Sequence, residues 1–209
     1  MLPVASVLLN AVVLPLCIMA WLQLALGHNK DPKMLAARGV ESLKYFTVLS
    51  NMFAALVAAA YLAVGLWSGV YPPAWMLTLK LVSATSVMLT FTTVVVLLGP
   101  AFGWRRMYAS GNFWLHLVLP LIAMIDCCLF VPVQILPWQC TLLGMLPTVV
   151  YGAFYLWRIM LHGAEKNGKV YDFYGFLRWG TNGIPFVIVG MLLASWLIAL
   201  GVYGLSVHI

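Results

Sequence analysis

The chain has 209 residues, 64% of them hydrophobic and only 8% charged, with a formal net charge of +6 and a mean hydropathy of +1.02. So few polar side chains cannot cover a water-soluble globule of this length, so composition points to a polytopic membrane protein with no room for a separate soluble domain. No basic run sits on a soluble module, which leaves nucleic acid without support as a partner; the net charge instead follows from basic loops that meet anionic lipid heads.

Six apolar runs reach the length of about 20 residues that one bilayer crossing needs. They cover about 2–27, 43–67, 75–98, 112–131, 139–161 and 183–204. These are helix-length runs rather than the roughly ten-residue alternating segments of a barrel, so the expected fold class is all-α, a single six-transmembrane-helix bundle. The first run lacks a basic leader and is too long for a signal-peptide core, so it is read as a retained helix. Ten of the eleven basic residues fall in or beside three connections: Lys30, Lys33, Arg38 and Lys44; Arg105 and Arg106; and Arg158, Lys166, Lys169 and Arg178. By the positive-inside rule those connections face the cytoplasm, here of a bacterial inner membrane, and both termini lie outside. Pro15, Pro120, Pro147 and Pro185 fall inside helices, where each frees the carbonyl four residues earlier; Pro120 frees that of His116. The four cysteines show no metal-ligand spacing and read as small buried thiols, although Cys128 and Cys140 stand close enough in sequence to approach each other across a short connection.

Depth along the spans groups the polar residues. The second and fourth spans both start at the cytoplasmic face, and Thr47 and His116 each lie about four residues in, on the order of 6 Å at the helical rise. They are therefore predicted to share one layer. An imidazole beside a hydroxyl in a partly dry layer is the minimum for nucleophilic catalysis; the structural alternative has Thr47 bonding a carbonyl one turn earlier and His116 pinning two helices. Asn51, one turn deeper than Thr47, either donates to an oxyanion or holds a neighbouring helix. In the third span Lys80, Ser83, Ser86, Thr90 and Thr93 form one helical face that cannot point at lipid. Lys80 and Asp126 are the only charges deep in the spans, of opposite sign and equal predicted depth, and are expected to form a buried ion pair that clamps helices. Asp126 is ten residues, about 15 Å of helix, from His116 and does not orient that ring. An orienter is either a backbone carbonyl or one of Asp172 and Glu41. Arg158 and His162, near the inner end of the fifth span with Tyr151 and Tyr155 above, are either interfacial snorkellers or a site for the carboxylate of an amphiphile, a role also open to Arg178. The connection "HGAEKNGKVYDFYGFLRWGTN" is too aromatic for a plain linker and is expected to pack over the inner mouth of the bundle or to lie along the membrane surface.

The stretches "LKYFTVLSNMF", "NFWLHLVLPLIAMID", "VVYGAFYLWRIMLHG" and "VYDFYGFLRWG" resemble the bacterial Pr6Pr-type membrane proteins. More distantly they are similar to the androgen-induced and androgen-dependent TFPI-regulating proteins of animals. The resemblance covers about residues 40–200 and implies six-helix hydrolases that cleave fatty acid esters of hydroxy fatty acids with an intramembrane threonine and a histidine. It maps the threonine onto Thr47 and the histidine onto His116. It also implies cytoplasmic termini, opposite to the charge-derived orientation. The expected function is thus hydrolysis of a lipid ester by Thr47 and His116, with no metal or cofactor. The rival is a non-enzymatic transporter or sensor of a small amphiphile, with the polar face of the third span and the Lys80–Asp126 pair lining a pathway.

Overall fold

All six apolar runs are helical in the computed structural model, which describes residues 2–26, 39–68, 71–167 and 169–206. Helix α1 covers Val4–Ala25, α2 Phe46–Ser68, α3 Ala74–Phe102, α4 Gly111–Leu129, α5 Trp138–His162 and α6 Gly180–Leu205. All six are long and apolar enough to cross a membrane. Among the described residues the one sheet is a hairpin of β1 (Glu165–Lys166) and β2 (Lys169–Val170) between α5 and α6. The chain is a multi-pass, all-α membrane protein. His28, Lys30, Lys33, Arg38 and His208 lie outside the described residues.

Prolines shape the helices from within. Pro120 has no N–H for the carbonyl of His116, and α4 absorbs the mismatch as a π-helical turn over Trp114–Val118 before α geometry resumes at Leu119. Helix α3 repeats the device at Val94–Leu98, just before Pro100, a proline that lies beyond the span expected from hydropathy. Helix α5 opens with 3-10 geometry over Trp138–Met145 and turns α at Leu146, with Pro147 in the first α turn where its missing N–H costs little.

Helix α3 is the centre of the bundle, flanked by α2, α4, α5 and α6, while α1 packs against α2 and α4. Every α3 residue from Leu81 to Thr90 is buried, as is Lys80. Three of its hydroxyls are satisfied within the bundle. Ser83 donates to the Lys80 carbonyl at 3.0 Å, Ser86 to the Ser83 carbonyl at 2.8 Å, and Thr90 lies 3.3 Å from the Ser50 hydroxyl of α2. The opposite condition holds on α6, where Phe186, Val189, Leu193 and Leu197 are exposed along one stripe, as a lipid-facing helix requires. All four cysteines are free, and Cys17, Cys127 and Cys128 are buried.

One end of the bundle is tied by charge. Lys80 Nζ is 2.6 Å from Asp126 Oδ2. Helix α1 completes the group: Ser6 Oγ donates to Asp126 Oδ1 at 2.6 Å, Asn10 Nδ2 to Asp126 Oδ2 at 2.8 Å, and Lys80 donates to Asn10 Oδ1 at 2.7 Å. The Lys80 ammonium also lies 5.1 Å from the ring centroid of Tyr61 on α2. Both charges thus have several partners from four helices, which is the condition under which a buried pair holds helices together.

Candidate active site

Helix α2 begins under a cover supplied by the connection between α5 and α6. Asp172 fixes that connection by accepting from the Tyr155 hydroxyl at 2.5 Å and from the amides of Phe176 and Leu177, each at 2.8 Å. Phe173 packs edge-on against Tyr45 at 4.9 Å and Tyr155 at 5.0 Å between ring centroids. The amide of Phe46, an orphan donor of the first turn of α2, donates to the Tyr174 hydroxyl at 3.0 Å. Burial pushes the Tyr174 phenol's pKa up. Burial, with smaller contributions from Tyr174 and Glu41, lifts that of Tyr45 to about 12. Both phenols therefore stay neutral and the cap on α2 does not ionise near neutral pH.

Beneath this cover lies a cavity of about 1230 Å³. Thr47, His116, Arg158 and Arg178, four residues from separate parts of the chain, all form part of its wall. Its basic wall residues, Lys44, Arg106, Arg158, Lys169 and Arg178, outnumber the acidic Glu41 and Asp172, so the potential inside favours an anion. The Arg158 guanidinium sits over the rings of Phe154 and Tyr171 at 5.5 and 5.4 Å, and that of Arg178 over Trp179 at 5.1 Å.

The π-helical turn carries His116, which is 3% exposed. Its Nδ1 is 2.9 Å from the Met107 carbonyl oxygen. A carbonyl can only accept, so in the neutral ring Nδ1 carries the proton and Nε2 the lone pair. Met107, in a short helical turn Trp104–Met107 between α3 and α4, is thus the orienter; Asp172 is spent on the cover. The Thr47 carbonyl accepts from Ser50 Oγ at 3.2 Å and from Asn51 Nδ2 at 2.8 Å, whereas the Thr47 hydroxyl makes no hydrogen bond among the described residues. The back-bond to an earlier carbonyl that would make Thr47 purely structural does not form.

Asn51 departs from the oxyanion role. Its two amide hydrogens are taken by the Thr47 carbonyl at 2.8 Å and the Leu115 carbonyl at 3.0 Å, which leaves none for a substrate. What it does is join the turn that carries Thr47 to the residue before His116. Lys80 and Asp126 line no part of the cavity.

Sequence reading passed over Asn112. It is 1% exposed, lies on the cavity wall, and among the described residues neither Nδ2 nor Oδ1 has a hydrogen-bond partner. The signal was available, since Asn112 is four residues before His116, the same spacing that singled out Asn51 beside Thr47. Its neighbour Gly111 allows the start of α4 to press against α1, where an added Cβ would meet the Ala20 carbonyl at 2.5 Å. Comparison with protein families, with curated proteins and with solved structures returns no match.

Proposed function

We propose that the chain is an intramembrane hydrolase of lipid esters, fatty acid esters of hydroxy fatty acids or similar two-chain molecules, with Thr47 as nucleophile and His116 as general base. One observation carries this reading: an unengaged threonine hydroxyl and an imidazole whose proton is held at Nδ1 share the wall of one large cavity. The distant resemblance to the androgen-induced and androgen-dependent TFPI-regulating proteins of animals maps their threonine and histidine onto the same two residues. In this reading the basic end of the bundle faces the cytoplasm of a bacterial cell, both termini lie outside, and the substrate enters from the bilayer.

The carboxylate of the substrate rests near Arg158 or Arg178. Thr47 Oγ bonds to the ester carbon as its proton passes to His116 Nε2, and the carbonyl π pair moves onto oxygen. Collapse of the tetrahedral centre breaks the ester C–O bond, and the departing alkoxide takes the proton from the imidazolium. Water then attacks the threonyl ester, giving its proton to Nε2; collapse frees the fatty acid and the regenerated Thr47 takes that proton back. The Met107 carbonyl keeps the ring in the required tautomer through both halves.

Labelling of the purified protein by a fluorophosphonate tests the proposal, because the probe loses fluoride only to an activated hydroxyl. Wild type is expected to label, Thr47→Ala not at all, and His116→Ala at least about 100-fold more slowly. Labelling indifferent to both substitutions removes the hydrolase reading. The carrier reading gains no comparable support, since on α3 Ser83 and Ser86 bond to backbone, Thr90 pairs with Ser50, and the Lys80–Asp126 group has its partners within the bundle.

A further inference from the structure

Resting on the hydrolase reading, we infer that Asn112 is a further catalytic residue: its side-chain amide donates to the ester carbonyl oxygen as negative charge builds there. A buried amide with neither end bonded among the described residues costs a folded protein the desolvation of a donor and an acceptor, so its persistence calls for a partner that comes and goes. Asn112 shares the large cavity's wall with Thr47 and His116. It also borders a second chamber of only about 10 Å³, which Thr47 lines too. That space is at most a single water site, so a partner larger than water must come from the large cavity. The other amide in the layer, Asn51, has no hydrogen left to give. The backbone beside Asn112 packs closely on α1, where a Cβ at Gly111 would meet the Ala20 carbonyl, and a donor fixed before the reaction is the kind that stabilises an oxyanion. When Thr47 Oγ attacks and the carbonyl π pair shifts to oxygen, Asn112 Nδ2–H shortens its contact with that oxygen; no proton leaves the amide, and the bond relaxes when the C=O re-forms.

The test uses the full-length protein in detergent micelles, with p-nitrophenyl octanoate as substrate and fluorophosphonate to count active sites. Asn112→Ala and the near-isosteric Asn112→Asp are expected to lower kcat per labelled site about 100-fold, the loss typical of one oxyanion donor, with KM changed less than about threefold. Asn112→Ser, which keeps a short donor, is expected to recover part of that loss. The probe's own labelling rate falls in parallel, since its phosphoryl oxygen occupies the same place. If the residue is only structural, or is satisfied by a water in the small chamber, the variants lower the unfolding midpoint while kcat per labelled site stays at the wild-type value, and the proposal is overturned with the hydrolase reading intact. If Asn112→Ala does not fold, the Asp and Ser variants carry the same comparison. A wild type that neither labels nor hydrolyses overturns both together, so the two failures are distinguishable.

Discussion

The Arg158 guanidinium lies over the rings of Phe154 and Tyr171, and stacking uses the face of a guanidinium while leaving its N–H fork for a ligand. A charge-assisted bond to a substrate carboxylate contributes on the order of 1.5–3 kcal/mol. Arg158→Gln is therefore expected to raise KM for a carboxylate-bearing ester about tenfold or more, with kcat within about twofold, and to leave the methyl ester of the same molecule unaffected. Steady-state hydrolysis of the two substrates checks this; an equal loss on both would make Arg158 a structural stacker. At this scale the placement of Thr47 and His116 on one cavity wall was legible, because depth counting needs only helix starts and the helical rise. The bonding of Asn51 was not, because it depends on which carbonyls lie within 3.0 Å on another helix. The orienter was beyond reach for a plainer reason. Every residue has a carbonyl, and nothing in the letter of Met107 says that its own faces His116.

The start of α2 is held from outside the bundle. Tyr174 accepts the Phe46 amide, Tyr151 donates to the Lys44 carbonyl at 2.6 Å, and Asp172 secures the segment that bears Tyr174. Tyr174→Phe keeps the ring packing and strands one backbone donor, a loss of about 1–3 kcal/mol if the donor stays buried. Hydrogen exchange followed by mass spectrometry is expected to show faster exchange in the first turn of α2, with α3 unchanged, and slower fluorophosphonate labelling of Thr47. Uniformly faster exchange across α2 and α3 would instead mean that the cover stabilises the whole bundle rather than this turn. Hydropathy set the limits of the spans to within a few residues, because the hydrocarbon thickness fixes how many apolar residues a crossing needs. It was silent on the π-helical turns at Val94–Leu98 and Trp114–Val118. Their local cause, Pro100 and Pro120, is visible in sequence, but whether a helix answers a proline by kinking or by widening depends on what packs against it.

Across the whole molecule, the cavity and the charged anchor are kept in different places: the cavity takes no wall from Lys80 or Asp126, and the ion pair ties α1, α3 and α4 away from it. The pairing of the two charges was legible because a lone ammonium and a lone carboxylate at one depth in hydrocarbon leave few other arrangements. Ser6 and Asn10 were not, since small polar residues in an apolar run carry no partner's name. Removing one member of such a pair leaves a buried charge without compensation and costs about 3–5 kcal/mol, whereas replacing both with apolar groups of similar size is often close to neutral. Lys80→Met alone and Asp126→Leu alone are each expected to lower the unfolding midpoint in detergent sharply. The double variant should recover most of the loss, because Asn10 Nδ2 already bonds the Ser6 carbonyl at 2.8 Å and keeps that partner when the carboxylate is gone. Fluorophosphonate labelling of the double variant should remain near the wild-type rate, since neither residue reaches the cavity. A double variant as unstable as the two losses added together would mean that Lys80 and Asp126 act through separate partners, and a double variant that folds yet fails to label would tie the charge cluster to the chemistry after all.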